Sequence, residues 1–174
     1  MKKVLRILIL VLMPFFIMAQ TTIFTENCGN PAPTTSAATY TGWQNNATLT
    51  YAASATYPDV RTSTPSTGYT GASGNGNIYF NATSVIGTSG TINVVISNIN
   101  TSSYTNLVLS FGFLKTNNAW SNEVVVEVSS NGTTWTSLTM SPSTGTGTAS
   151  VWQYLTASGS IPSTANLRIR FRYA

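Results

Sequence analysis

Few residues in this sequence can move a proton or hold a metal. The 174 residues contain no histidine, one cysteine and four carboxylates, at Glu26, Asp59, Glu123 and Glu127. Without an imidazole, Ser-His-Asp and Cys-His catalysis, histidine general bases and histidine-ligated zinc are excluded. A single thiol makes neither an internal disulfide nor a cysteine metal cluster, so Cys28 reads as a small buried hydrophobe, with a free thiol as the alternative. Glu123 and Glu127 fall on one face of a strand, but four residues at ~3.3 Å each hold them roughly 13 Å apart. A glycosidase pair needs about 5–9.5 Å, so these two read as solvent-facing charges. Spacing leaves Glu26 with Asp59 open, and with it a hydrolase as a third reading behind a binding module and a structural spacer.

The aromatic and cationic residues suit binding better than turnover. Trp43, Trp120, Trp152 and Tyr69 have flat faces that stack on sugar rings and a polar atom that hydrogen-bonds beside them; core packing is the competing use of each. Trp120 lies in the polar stretch KTNNAWSN and Tyr69 in a glycine-rich one, which makes these two the better contact candidates. Arg168, Arg170 and Arg172 recur at two-residue spacing, so three guanidinium groups line one sheet face. Such a row pairs with carboxylates, sulfates or phosphates, or is a solvated face that discourages edge pairing. The run from Gly71 to Asn77 looks like a phosphate loop but lacks the closing Lys-Ser/Thr and opens into a strand, so it reads as a turn.

These residues must be held by strands. Val124, Val126 and Val128 alternate with Glu123, Val125 and Glu127, the pattern of a strand with one buried face. Asn131-Gly132 then predicts a tight hairpin turn, with residues 133–140 returning as a strand whose Trp135 caps the valine face. The last strand, 167–173, alternates Leu167, Ile169, Phe171 and Tyr173 with the three arginines. Further strands are expected at 21–25, 40–43, 47–52, 59–62, 77–83, 92–97, 107–113 and 151–155, with glycine- and proline-rich loops at 29–36, 64–76 and 141–150. No stretch beyond the N-terminus has helical periodicity. The expectation is all-β: an antiparallel β-sandwich of jelly-roll type. Ser129 to Trp135 also resembles the Asp-box of sialidase-type propellers, but one copy cannot build a propeller, and it reads as hairpin chemistry.

Residues 1–19 carry Lys2, Lys3 and Arg6 ahead of an apolar run to Met18, shorter than the ~20 residues of a membrane span. They read as a signal peptide, leaving residues 20–174 as one secreted or cell-surface domain with no membrane span. Removing three of eight basic residues leaves five against four acidic ones, a net charge of +1 in place of +4. Specific nucleic-acid binding needs clustered positive charge and is not expected.

The combination of IFTE at 23–26, GW at 42–43, DVR at 59–61, GYTGASGNGN at 68–77, INTSSYTNLVLSFG at 99–112, VEVSSNGTTW at 126–135 and IPSTANLRIRF at 161–171 resembles a known family. It is similar to the N-terminal jelly-roll accessory module of secreted Bacteroidetes proteins that use type IX secretion, with looser likeness to carbohydrate-binding and choice-of-anchor domains. The resemblance implies a non-catalytic module that binds glycans or a cell-surface polymer, or a structural or adhesion spacer supporting a catalytic neighbour such as a nuclease. It further implies additional domains on a longer parent chain, a closing strand beyond Ala174, and a structural calcium ion with Glu26 as the metal candidate.

Overall fold

The computed structural model describes residues 20–54, 57–81, 92–117 and 124–173. The predicted signal peptide, Trp120 and Glu123 lie outside them. The described residues are all-β, with eleven strands in three antiparallel sheets, consistent with a β-sandwich. One sheet has five strands in the order β2 (Thr50–Ala53), β5 (Ile92–Ile99), β11 (Leu167–Tyr173), β7 (Val124–Ser129), β8 (Thr136–Ser137). A second contains β1 (Thr35–Ser36), β3 (Asp59–Arg61) and β4 (Asn77–Tyr79). A third contains β6 (Leu109–Phe113), β10 (Gln153–Ser158) and β9 (Thr139–Ser141). Among the described residues no helix is long and apolar enough to cross a membrane.

The apolar sets expected to face inward do so. Ile96 and Ile99 of β5, Val126 and Val128 of β7, and Leu167 and Ile169 of β11 pack against Ala157 of β10, with Leu109, Phe111 and Met140 beside them. Phe111 meets Phe171 edge to face at 5.2 Å. A second cluster joins Val60 of β3, Val94 of β5, Ala37 and Trp43. Within β5 the alternation is reset by a bulge: Ile169 faces Ile96, whereas Leu167 faces Ile99. The extra residue puts Asn98 in the left-handed region (φ 66°) and turns Ile99 inward to 2 % exposure.

The hairpin after β7 differs from its expectation. Val128 pairs with Thr136, so the connection is the seven-residue loop 129–135 rather than a tight turn, and only Gly132 in it takes a positive φ. Side chains close the loop. Ser129 Oγ accepts from Gly132 N (2.8 Å), and Asn131 Oδ1 accepts from Thr133 N and Thr134 N (both 2.9 Å). Asn131→Ala should lower stability by about 1 kcal/mol, read as a shifted urea midpoint, while Asn131→Asp keeps the acceptor and most of the stability.

The returning chain also splits. Residues 136–137 pair with β7; Leu138, buried and bonded through its N–H to Val126 O (2.8 Å), carries the chain inward; residues 139–141 pair with β10 in the facing layer. Trp135 therefore does not cap the valines. It shares the outward parity of Ser137, the cross-strand partner of Glu127, and lies over the Arg170 guanidinium at 4.0 Å. The segment 21–25 forms no strand, and 40–43 is likewise irregular, while β1 appears inside the expected loop 29–36.

Candidate binding face

Cross-strand partners share a face, so register places side chains. Tyr154 pairs with Gly112, and the neighbouring inward positions Phe111 and Leu155 are in or near the core. Tyr154 and Gly112 consequently point outward. Gly112 has no side chain to occupy that surface, and Tyr69 fills it: a Cβ built on Gly112 would sit 2.0 Å from the Tyr69 hydroxyl. The Tyr69 ring lies 6.0 Å from Tyr154 (33° between planes) and 6.4 Å from Trp152 (45°). Tyr154 is 49 % exposed. The indole N–H of Trp152 is buried with no acceptor among the described residues.

The platform is positioned from two directions. Trp152, immediately before β10, and Tyr154, near its start, stand two residues apart, the spacing of side chains on one face of an extended chain. Tyr69 comes from the 64–76 connection, which is tied internally: Ser66 Oγ accepts from Ser73 N (3.0 Å) and Gly74 N (3.3 Å), and Asn77 Nδ2 donates to Thr64 O (2.8 Å). Gly71 and Gly74 take φ values of 86° and 69°, the turn geometry that their glycine-rich context implied. Beyond the rings the same sheet face is hydroxylic. Ser110 pairs with Thr156, Thr156 with Ser141, and Ser158 with Thr139.

The other sequence candidates lie elsewhere. Arg168, Arg170 and Arg172 project from the outward face of β11, whose inward Phe171 contacts the layer carrying Tyr69; the row and Tyr69 are on opposite sides of the molecule. The row is not free. Arg170 Nε and Arg172 Nε donate to Glu127 Oε2 at 2.7 and 3.1 Å, and Arg168 donates to Ser130 O at 3.2 Å. Glu127 is thus not a solvated charge: its side chain is 8 % exposed. Burial works to raise its pKa, but the hydrogen bonds and charges of Arg170 and Arg172 prevail and hold it below the usual carboxylate range. Trp120 is outside the described residues, and Trp43 is a core residue at 4 % exposure, stacked on Tyr51 at 4.5 Å.

Glu26 does not fit the calcium expectation. Its Oε1 accepts from Cys28 N (2.8 Å) and Gln44 N (2.9 Å); its Oε2 accepts from Asn45 N (3.2 Å), Asn45 Nδ2 (3.0 Å) and the Tyr51 hydroxyl. Five donors saturate the lone pairs that a hard cation would need. Among the described residues no group of three or more His, Cys, Asp or Glu side chains could hold a metal. The neighbouring Cys28 thiol is pushed up to about 12, by burial and then by the Glu26 charge, so it stays protonated and a poor nucleophile. Asp59 is paired with Arg61 at 2.6 Å.

Sequence reasoning found Tyr69 and weighed Trp152 but missed Tyr154. The signal was present in Trp152-x-Tyr154, read with the small residues Ser110 and Gly112 that leave room on the facing strand. Comparison with family models, with curated proteins and with solved structures finds no match for this chain.

Proposed function

We propose that this chain is a non-catalytic extracellular module that holds a glycan or cell-surface polymer on the face of β6, β10 and β9. The observation that carries the reading is the aromatic platform of Tyr69, Tyr154 and Trp152 beside rows of hydroxyls. Aromatic faces cover the apolar faces of pyranose rings, and Ser and Thr hydroxyls match their equatorial hydroxyls as both donors and acceptors. The absence of histidine from the sequence favours binding over turnover. The fuller reading is a jelly-roll domain, exported by residues 1–19 and serving as an accessory part of a larger secreted protein.

The test is sedimentation with insoluble polysaccharides, cellulose, chitin and a cell-wall preparation. The unmodified domain should pellet with at least one. Tyr154→Ala and Gly112→Ala should each weaken retention about tenfold, about 1.4 kcal/mol, without lowering the unfolding midpoint. In Gly112→Ala the new methyl group displaces the Tyr69 ring. A domain that remains in the supernatant with every polymer, or variants retained like the parent, would sink the reading and leave a spacer role.

A further inference from the structure

The arginine row stands in the middle of a sheet. β11 lies between β5 and β7, so Arg168, Arg170 and Arg172 protect no edge. Alternate strand residues are about 7 Å apart, which sets the three guanidinium groups in a straight line along the outward face. Their cross-strand neighbours on that face are all shorter: Asn93 and Val95 of β5, and Val125, Glu127 and Ser129 of β7.

Each guanidinium group is held in place. Arg168 Nη1 donates to Ser130 O at 3.2 Å, and the side chain lies over Gly132, where a Cβ would come within 3.1 Å of its Nε. Arg170 is fixed by Glu127 (Nε to Oε2, 2.7 Å) and by the Trp135 ring at 4.0 Å. Arg172 gives both Nε and Nη2 to Glu127. That leaves Nε and Nη2 of Arg168 and both terminal nitrogens of Arg170 with no hydrogen-bond acceptor among the described residues.

Nor does the charge balance. The whole sequence has four carboxylate side chains. Glu26 is saturated by its own donors, and Asp59 is paired with Arg61. Setting both of the others, Glu123 and Glu127, against the row still leaves one guanidinium group in excess.

The kind of anion can be narrowed. A typical nucleic-acid footprint has about 6–10 phosphate contacts. Beyond residue 19 the sequence has five basic residues, of which Arg61 is paired and Lys115 is 7 % exposed. A protein partner calls for an apolar centre to the interface. The large exposed hydrophobics among the described residues, Tyr104, Val108, Val151 and Tyr154, all lie off this sheet. A hydrated polymer bearing carboxylates fits both constraints. Glu127 shows how the row holds such a group, since its one carboxylate bridges two neighbouring guanidinium groups.

We propose that the outward face of β11 is a second binding site, for an acidic polysaccharide, in which a uronate carboxylate bridges Arg168 and Arg170 as Glu127 bridges Arg170 and Arg172. The site lies across the molecule from Tyr69 and stands independently of whatever the aromatic platform holds.

The experiment is affinity electrophoresis of the full chain in native gels cast with polygalacturonate, with neutral dextran as the control polymer. Polygalacturonate should retard the chain more than dextran does. The logarithm of Kd should rise with the logarithm of salt concentration with a slope of about 2, falling by about 1 in Arg168→Gln. Arg168→Gln removes no ion pair of the protein, so its unfolding midpoint should match the parent while its affinity falls about tenfold. Arg168→Lys should restore the salt slope but not the full affinity, because an ammonium group cannot grip a carboxylate with a fork. Tyr154→Ala should bind polygalacturonate like the parent. Retardation no greater than in dextran, or Arg168→Gln retarded like the parent, would overturn the proposal. Weakened binding in Tyr154→Ala would also overturn it, moving the acidic polymer to the platform. So would equal affinity for a single-stranded oligothymidine, which would make the row a general polyanion contact.

Discussion

Glu26→Ala should lower the stability of this domain by about 3–4 kcal/mol, a large share of the roughly 5–15 kcal/mol that holds a domain folded. The Glu26 carboxylate accepts hydrogen bonds from four residues: Cys28, Gln44, Asn45 and Tyr51. A hydrogen bond to a charged group contributes about 1.5–3 kcal/mol, and bonds sharing one acceptor do not add in full. The segment 21–28 has no ladder of its own, so this one side chain ties it to the turn before β2. Urea unfolding should show a midpoint lower by more than 1 M, given a slope of about 1–3 kcal/mol per M. Glu26→Gln should be nearly as damaging, because either amide orientation points an NH₂ group at donors. A midpoint for Gln close to the parent would mean that the charge is not what orders the segment.

The same variants have an alkaline signature. The Tyr51 phenol is raised far above its usual 10, by burial first and then by its hydrogen bond to Glu26. A raised folded-state pKa contributes stability that is present below pH ~10 and is lost as pH rises beyond it. Glu26→Ala should lower the Tyr51 ionisation midpoint, measured by phenolate absorbance.

Glu127→Ala should destabilise by about 3 kcal/mol, the low end for breaking a buried ion pair, since Arg170 and Arg172 retain 22 % and 24 % side-chain exposure. Removing the carboxylate leaves two guanidinium groups on adjacent outward positions of β11 facing each other without an anion. The contact of Arg170 with Trp135 persists and offsets part of the loss. The pH dependence follows from the depressed folded-state pKa of Glu127. Its contribution is fully present above the unfolded carboxylate value of about 4.3 and is lost as pH falls through the lower folded value. The stability gap between parent and Glu127→Gln should therefore narrow below pH ~4 in urea titrations. A gap that stayed constant down to pH 2 would show that Glu127 is not stabilised as an anion.

The residue pattern alone was sufficient for the class of fold and for the inward faces of the long strands. Alternation in 92–97, 107–113, 124–128 and 167–173 assigned Ile96, Phe111, Val126 and Ile169 to the interior, where they lie. Burial of one face enforces a period of two, and that period is a local property of the sequence. Partnership is not local. That Trp135 would cover Arg170, that residues 136–141 would serve two sheets, and that Glu26 would bind a turn some twenty residues away depended on which strands became neighbours. The same holds for the aromatic platform. Tyr69, Trp152 and Tyr154 are separated by up to 85 positions, and they meet because Gly112 on an adjoining strand leaves a gap that a tyrosine ring fills. Sequence spacing sets which way a side chain points; only the pairing of distant strands sets what it points at.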